Sequence, residues 1–420
     1  MLIGSQLSTR RGAAMSSTPF PIAPITPDEG YALERTVARA FGMTLDDKTA
    51  AHHAGLHRRE ATLAARDDGR VVGTTEYYDF SMSVPHATPV PCAGVTGVAV
   101  LPTHRRRGVL ASLMRRQLDD LHERGTAWAA LYASEAGIYG RFGYGMASRS
   151  LDYAIGRPWA AFERPPGPAT VDALDTDEAL ERLQAVYETA RRARPGMMSV
   201  SDALWRHLVR WDPEESRHGA GERQVAAIGD RAYALYRLRQ HWDDTGPDYT
   251  LNVETCVAVD AEANRQMWAF LFGIDLVRRI NARQLPVDDP LPWWLVDRRR
   301  LRISEGEPCH IRLVDVGAAL SQRGTRAVGS VVLDVGDAFC PWNTRRWRLE
   351  GDGSTLRCAP DDATADVALD ARTLASLSLG GIPATQLANA GLIDEQTSGA
   401  VTRLDALLAS HRPPWNAFTF

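Results

Sequence analysis

The sequence predicts a chain that is α/β, in part α+β: two mixed sheets flanked by helices, one after the other, followed by a third domain of a different α+β pattern. Three observations carry this. The order helix, strand, strand, strand, helix, strand runs through residues 27 to 134. A similar order returns between residues 222 and 282, and from about residue 305 short helices alternate with strands in a new arrangement.

Within the first copy, PDEGYALERTVARAFG (27–42) has apolar residues at helical spacing and stops at Gly42. LAARDDGRVVGTTEYYDF (63–80) reads as two strands joined by a tight Asp-Asp-Gly turn, because Gly69 can take the positive φ such a turn demands. VTGVAVLP (95–102) is an apolar strand and Val109 to Arg124 an amphipathic helix. The strand AWAALYAS (127–134) then leads into GIYGRFGYG.

The second copy repeats the plan without obvious residue identity. ERQVAAIGDRAYALYRLR (222–239) is a strand, a Gly-Asp turn and a strand; LNVETCVAV (251–259) is the apolar strand; AEANRQMWAFLFGI (261–274) is the helix; DLVRRINA (275–282) closes the unit. Where the first copy has HRRRG before its helix, the second has DAEAN, with neither glycine nor arginine. The second copy is therefore expected to be structural and to lack a cofactor site. In the third region GDGST marks a hairpin rather than a phosphate loop, since a strand follows it where a helix would be required. The expected division is a disordered tail over 1–20, then domains over 21–150, 151–304 and 305–420, with Met15 an alternative start.

Composition narrows the function classes. A chain of 420 residues with 44% apolar content can bury more than one core. Its net charge of −4 arises from 48 basic and 52 acidic residues spread along the chain, which gives no global bias toward nucleic acid or anionic membrane. No stretch approaches the roughly 18 apolar residues that span a bilayer, and the N-terminus lacks the apolar core of a secretory signal. The cysteines, Cys92, Cys256, Cys309, Cys340 and Cys358, are odd in number, scattered and nowhere spaced as CxxC. This argues against disulfides or a metal site and fits a reducing cytoplasm.

The chemistry concentrates at HRRRGVLASLMRR (104–116). A helix start offers backbone N–H groups without intrahelical partners and a partial positive charge. Glycine lets a ligand approach the backbone, and Arg105, Arg106 and Arg107 add full charges, which together suit one pyrophosphate. Consecutive residues cannot all face the same way, so one or two arginines are expected on phosphate and another on the surface. Arg115 and Arg116 fall on the solvent face of the helix.

Val98-Ala99-Val100 followed by this loop resembles motif A of the GCN5-related N-acetyltransferases, (Q/R)xxGx(G/A), with Leu110 where a small residue is usual. SEAGIYGRFGYG (134–145) is similar to the SExxIYxRFGY segment of the Eis acetyltransferases, in which RRRG(L/V)L is the usual loop. DAFCPWN, RWRL and the DxxxLASLxLGG run resemble that family's third domain, which is like sterol carrier proteins. The resemblance thus covers the chain as an active acetyltransferase domain, a degenerate second one and a sterol-carrier-like domain.

What the resemblance implies can be set on residues. Val98, Ala99 and Val100 would bind the pantetheine arm of acetyl coenzyme A through their backbone. Arg105, Arg106, Arg107, Gly108, Val109, Leu110 and Ala111 would hold its pyrophosphate, and Ser134 and Glu135 would line the cofactor further on. Tyr139 would be the general acid that protonates the departing thiolate; a phenol with pKa near 10 stays protonated at neutral pH. The α-carboxylate of Phe420 would be the base. Ordinarily such a group has a pKa of about 3.5, and the apolar ending WNAFTF fits its burial. The acceptors implied are polyamine-like or aminoglycoside-like amines, with lysine side chains a further candidate, and the assembly implied is a homohexamer without metal.

Other residues are read more plainly. Tyr144 lies close to Tyr139, and the residues alone do not choose between them. Glu135 is either an alternative base or a structural acceptor. His52, His53 and His57 read as a surface helix rather than metal ligands, whereas Asp46, Asp47 and Glu76 are candidate acids for attracting a cationic acceptor. MWAF (267–270), PLPWW (290–294) and Met197-Met198 read as packing. The rival class is a non-catalytic coenzyme A sensor or lipid carrier acting through the third domain.

Overall fold

The structure, a computed structural model, describes residues 20–57 and 60–420. All but the last residue of the expected N-terminal tail lies outside the described residues. The chain forms two compact units: one takes residues up to Glu76 together with Gly97–Gln117, the other Tyr77–Thr96 together with Leu118–Phe420.

In the first unit, strands β1 (Ile22–Pro24) and β2 (Leu63–Asp67) pair antiparallel, and β2 pairs antiparallel with β3 (Arg70–Met82). The turn between β2 and β3 puts Asp68 and Gly69 at φ +46° and +76°, the mirror-image turn that the Asp-Asp-Gly sequence predicts. Helix α1 (Gly30–Phe41) ends as expected at Gly42, which sits at φ +69° and donates its N–H to Ala38. Its buried residues are Leu33, Glu34, Thr36 and Ala38, and Leu33 packs with Ala64 and Val71. Helix α2 (Asp47–Ala54) is capped by Asp46, which accepts from the Thr49 N–H at 2.8 Å. Strand β4 (Val90–Val100) and helix α3 (Val109–Glu123) follow, as does the packing of Val109 and Leu113 on Leu63, Ala65 and Val72.

The second unit holds the rest of the first copy, the whole of the second and the third domain. There β4 runs parallel to β5 (Trp128–Tyr132), with Cys92, Ala93 and Gly94 opposite Trp128, Ala129 and Ala130. Strand Cys309–Leu313 adds antiparallel to β5 and on its other side to β6 (Gly145–Ser148). In exchange β7 (Ser150–Gly156) enters the second copy's sheet, between Val277–Pro286 and Arg302–Glu305. That sheet continues through Tyr249–Ala258, Ala232–Arg239, Gln224–Ile228 and Asp172–Leu174, and its one parallel pair is Tyr249–Ala258 with Val277–Pro286.

Helix Ala261–Gly273 buries Met267, Trp268 and Leu271 against Leu251, Ile280 and Tyr153, so the MWAF stretch is core. Truncating a tryptophan so enclosed costs about 3–5 kcal/mol. The third domain is a five-stranded sheet, ordered Leu356–Pro360, Arg345–Asp352, Val328–Gly336, Val367–Asp370, Ile393–Glu395. The GDGST stretch makes its expected hairpin, with Gly353 at φ +90°. After the last helix, Ala400–Leu408, the chain runs on as an extended tail whose Trp415 and Ala417 join Tyr187, Trp205 and Tyr233 of the second copy.

Candidate active site

The junction after β4 belongs to the first unit. A single 3-10 turn, Pro102–His104, leads to Arg105–Gly108 and then α3. His104 fixes this turn by hydrogen bonds to Thr103 (2.8 Å) and Asp67 (3.0 Å). Arg106 and Gly108 adopt φ of +62° and +84°. Gly108 immediately precedes the first helical residue and has no side chain with which to cap the helix amides. Close approach of the helix start to β3 is also built in: a Cβ on Gly73 would lie 2.7 Å from Val109 Cγ1.

The three arginines have separate tasks. Arg105 donates to the carbonyls of Ala40 (2.9 Å) and Val100 (3.4 Å), tying the loop to the end of α1. Arg107 lies over the Phe20 ring, 4.6 Å from its centroid. All three are exposed, and Arg106 is the one with neither a carbonyl nor a ring partner among the described residues. Of the other candidates in this unit, Ala99 and Val109 are buried, and Val98, Val100, Leu110 and Ala111 half-buried.

In the second unit, β5 leads through the exposed Ser134 and Glu135 into the short helix α4 (Ala136–Tyr139). Tyr139 is 8% exposed, whereas Tyr144 is fully enclosed with its hydroxyl unpartnered. Accessibility therefore distinguishes the two, as their sequence does not. Burial, reinforced by the charge of Glu135, pushes the Tyr139 phenol up to about 12, so it stays protonated.

The C-terminal tail is held by several polar contacts. Trp415 donates its indole N–H to the Gln284 carbonyl (2.7 Å), and Asn416 Oδ1 accepts from the Met198 N–H (3.1 Å). The Phe420 ring then lies edge-on to Phe80 (4.9 Å between centroids) and Tyr132 (5.3 Å). A Cβ on Gly94 would stand 2.2 Å from the Phe80 ring and 3.0 Å from the Phe420 ring. A glycine in β4 is thus what admits the terminal residue against the strand. The pair Gly94 and Gly97 inside an apolar strand is the signal in the sequence that marks this close approach.

The second copy offers a contrast at the same two places. Its parallel strands pair, with one irregularity between Tyr249 and Thr250, as far as Val253 opposite Ala282. Beyond that a cavity of about 360 Å³ opens, lined by Glu254, Thr255, Arg283 and Gln284 and by Phe418 and Thr419 of the tail. At its helix start Asp260 accepts the Ala263 N–H at 2.8 Å and pairs with Arg231 at 2.9 Å. The helix amides here are met by a carboxylate of the chain itself.

One sequence expectation is corrected by the structure. His57, read with His52 and His53 as part of a surface helix, follows α2 and is buried, its side chain 6% exposed. Its Nε2–H donates to Glu34 Oε1 and its Nδ1–H to Glu76 Oε2, both at 2.6 Å. His53 donates to the other oxygen of Glu34 at 3.0 Å. Burial alone would lower the His57 pKa, but the hydrogen bonds and charges of Glu34 and Glu76 overcome this and raise it to about 9. Of the three candidate acids, Asp46 serves as the α2 cap, Asp47 accepts a long 3.4 Å bond from Tyr31, and Glu76 belongs to this buried network.

Comparison with known proteins agrees along the chain. Residues 21–147 and 196–313 each match a model described as an acetyltransferase (GNAT) domain, and residues 316–417 match a sterol carrier protein domain. N-acetyltransferase Eis of Mycobacterium bovis is 33% identical over 410 residues, covering 94% of this chain and 98% of that one. An uncharacterized N-acetyltransferase of Streptomyces avermitilis is 38% identical over 391 residues, covering 90% and 94%. The crystal structure of Eis1 from Mycobacterium abscessus superposes with a TM-score of 0.84 at 33% identity, over 95% of this chain and all of that one.

Proposed function

The chain belongs to the Eis family of GCN5-related N-acetyltransferases, and from that premise we propose that it moves the acetyl group of acetyl coenzyme A directly onto an amine of a polyamine-like or aminoglycoside-like acceptor, or onto a lysine side chain. The observation that carries the cofactor assignment is the difference between the two helix starts. The first has a glycine where the second has the capping carboxylate of Asp260, and it alone is preceded by arginines. An anionic pyrophosphate fits the first and is repelled by the second.

In this reading the pyrophosphate is held by Arg105 to Ala111, the pantetheine arm by the backbone of Val98 to Val100, and the cofactor is lined further by Ser134 and Glu135. Tyr139 keeps its proton until the thiolate leaves. The carboxylate of Phe420 takes the proton from the attacking amine, with the ring of Phe420 anchoring the terminus beside Gly94. Transfer is direct. Burial pushes the Cys309 thiol up to about 12 and Cys92 well above its ordinary value, so neither is a thiolate nucleophile. A homohexamer in the cytoplasm completes the proposal; the described cysteines, all buried and none in a disulfide, suit a reducing compartment.

The test is acetyl transfer to a panel of amines, repeated with Tyr139→Phe and with residues appended after Phe420. Loss of the acid should cost about a hundredfold or more in kcat, and displacement of the terminus a comparable amount. Full activity in both variants removes the assigned acid and base. Coenzyme A binding without acetylation of any amine favours the sensor reading instead. Sedimentation of the purified protein checks the hexamer.

A further inference from the structure

Glu76 is locked in place by hydrogen bonds and packs against the predicted cofactor strand. Its Oε2 accepts from His57 Nδ1 (2.6 Å) and from the Thr62 hydroxyl (3.1 Å). Its Oε1 has no hydrogen-bond donor among the described residues and packs on Gly97, where a Cβ would lie 2.8 Å away. Gly97 itself departs from extended strand, at φ +57°, and its carbonyl accepts the Thr74 hydroxyl at 2.6 Å. No side chain therefore stands between this carboxylate oxygen and the backbone of β4.

The network sets the charge. His57 is held between two carboxylates, Glu34 and Glu76, so with His57 protonated the trio carries one net negative charge. The four side chains His53, Glu34, His57 and Glu76 are strung in series, both ring nitrogens of His57 being occupied by carboxylate. They do not converge on a common point, and no metal-holding group of His, Cys, Asp or Glu occurs among the described residues.

Position gives the role, and it rests on the acetyltransferase reading above. If the pyrophosphate lies at Arg105 to Ala111 and the pantetheine along Val100 to Val98, the thioester end continues toward Gly97. We infer that Glu76 is a specificity-determining residue that binds an ammonium group of the acceptor. An ammonium paired with a carboxylate keeps its proton and cannot attack a thioester. The group bound by Glu76 is consequently a second amine, distinct from the one acetylated, and the acceptor carries at least two amines separated by a short spacer.

The experiment compares 1,5-diaminopentane with pentylamine as acceptors in the full-length enzyme, reading the ratio of their kcat/KM values. A ratio is insensitive to the fraction of a variant that is folded. Wild type should prefer the diamine by about tenfold, the value of one exposed-to-half-buried charge pair of roughly 1.4 kcal/mol. Glu76→Gln should bring the ratio close to one, chiefly through KM for the diamine. Glu76→Asp, which keeps the charge but withdraws it from Gly97, should fall between and carries the test if Glu76→Gln does not fold. An unchanged ratio in both variants overturns the inference, as does a wild type indifferent to the second amine. The latter result leaves acetyl transfer itself standing; only failure to acetylate either amine would count against that reading.

Discussion

The two acetyltransferase-like copies share a sheet plan and differ where the chemistry is. In each, the pairing of two parallel strands stops partway, after Gly94 and Ala130 in the first and after Val253 and Ala282 in the second. In each, a segment of the C-terminal tail lies beside the opening, Phe420 at Gly94 and Phe418–Thr419 at the cavity next to Glu254. The helix starts are opposites: Gly108 precedes α3, and Asp260, already bonded to the Ala263 amide, precedes the second helix. A helix amide satisfied by the chain's own carboxylate offers nothing to a phosphate. In the proposed reading the second copy keeps its fold without a cofactor site, because a capping carboxylate that closes the helix start to an anion also stabilises the helix.

Transplanting the cap should break this contrast most severely. Gly108→Asp places a carboxylate just before α3, as Asp260 stands before the second helix. Because Gly108 is at φ +84° where Asp260 is extended at −144°, the change also strains the loop, and Gly108→Ala, which carries the strain without the charge, is its control. Losing charge-assisted hydrogen bonds and adding a like charge should cost roughly 3 kcal/mol, about a hundredfold in KM for acetyl coenzyme A. Arg106→Ala removes one of the three charges but leaves the helix start open, so a rise of about tenfold in the same KM is expected. The corresponding Arg105→Ala change acts differently, since that guanidinium binds the Ala40 and Val100 carbonyls; it should lower the melting temperature as well as affinity.

Smaller effects sharpen the comparison from the other side. Asp260→Ala should lower stability by about 1 kcal/mol, read by denaturant or thermal melting, and leave the KM for acetyl coenzyme A where it was. The His57 network belongs to the first copy alone, and its sign is fixed. His57 binds its proton more tightly when folded, at about 9 against an ordinary 6.5. Its contribution to stability is therefore complete below about pH 6.5 and fades as pH rises through 9. Melting temperature should fall between pH 7 and 10 more steeply in wild type than in His57→Gln.

Much of this was legible in the sequence, for local reasons. Alternation and helical spacing placed the elements of both copies, Gly42 and Gly69 marked a helix end and a turn, and the contrast between HRRRG and DAEAN located the one expected anion site. What escaped was non-local. Nothing near Cys309–Leu313 says that its partners are β5 and β6 rather than the adjacent third domain, and His57 meets Glu34 and Glu76 from 23 and 19 positions away. A histidine three residues past a polar helix looks exposed until the acids that enclose it are found. Tyr139 and Tyr144 carry the same chemistry in sequence, and only their burial separates them.

The proposed contrast is between one helix start that binds cofactor and another that is closed by its own cap. Calorimetric titration of acetyl coenzyme A into the full-length protein tests this directly, with Gly108→Asp and Asp260→Ala alongside. One site per chain is predicted, lost or weakened about a hundredfold in Gly108→Asp and unchanged in Asp260→Ala. Two sites per chain, or wild-type affinity in Gly108→Asp, would contradict it.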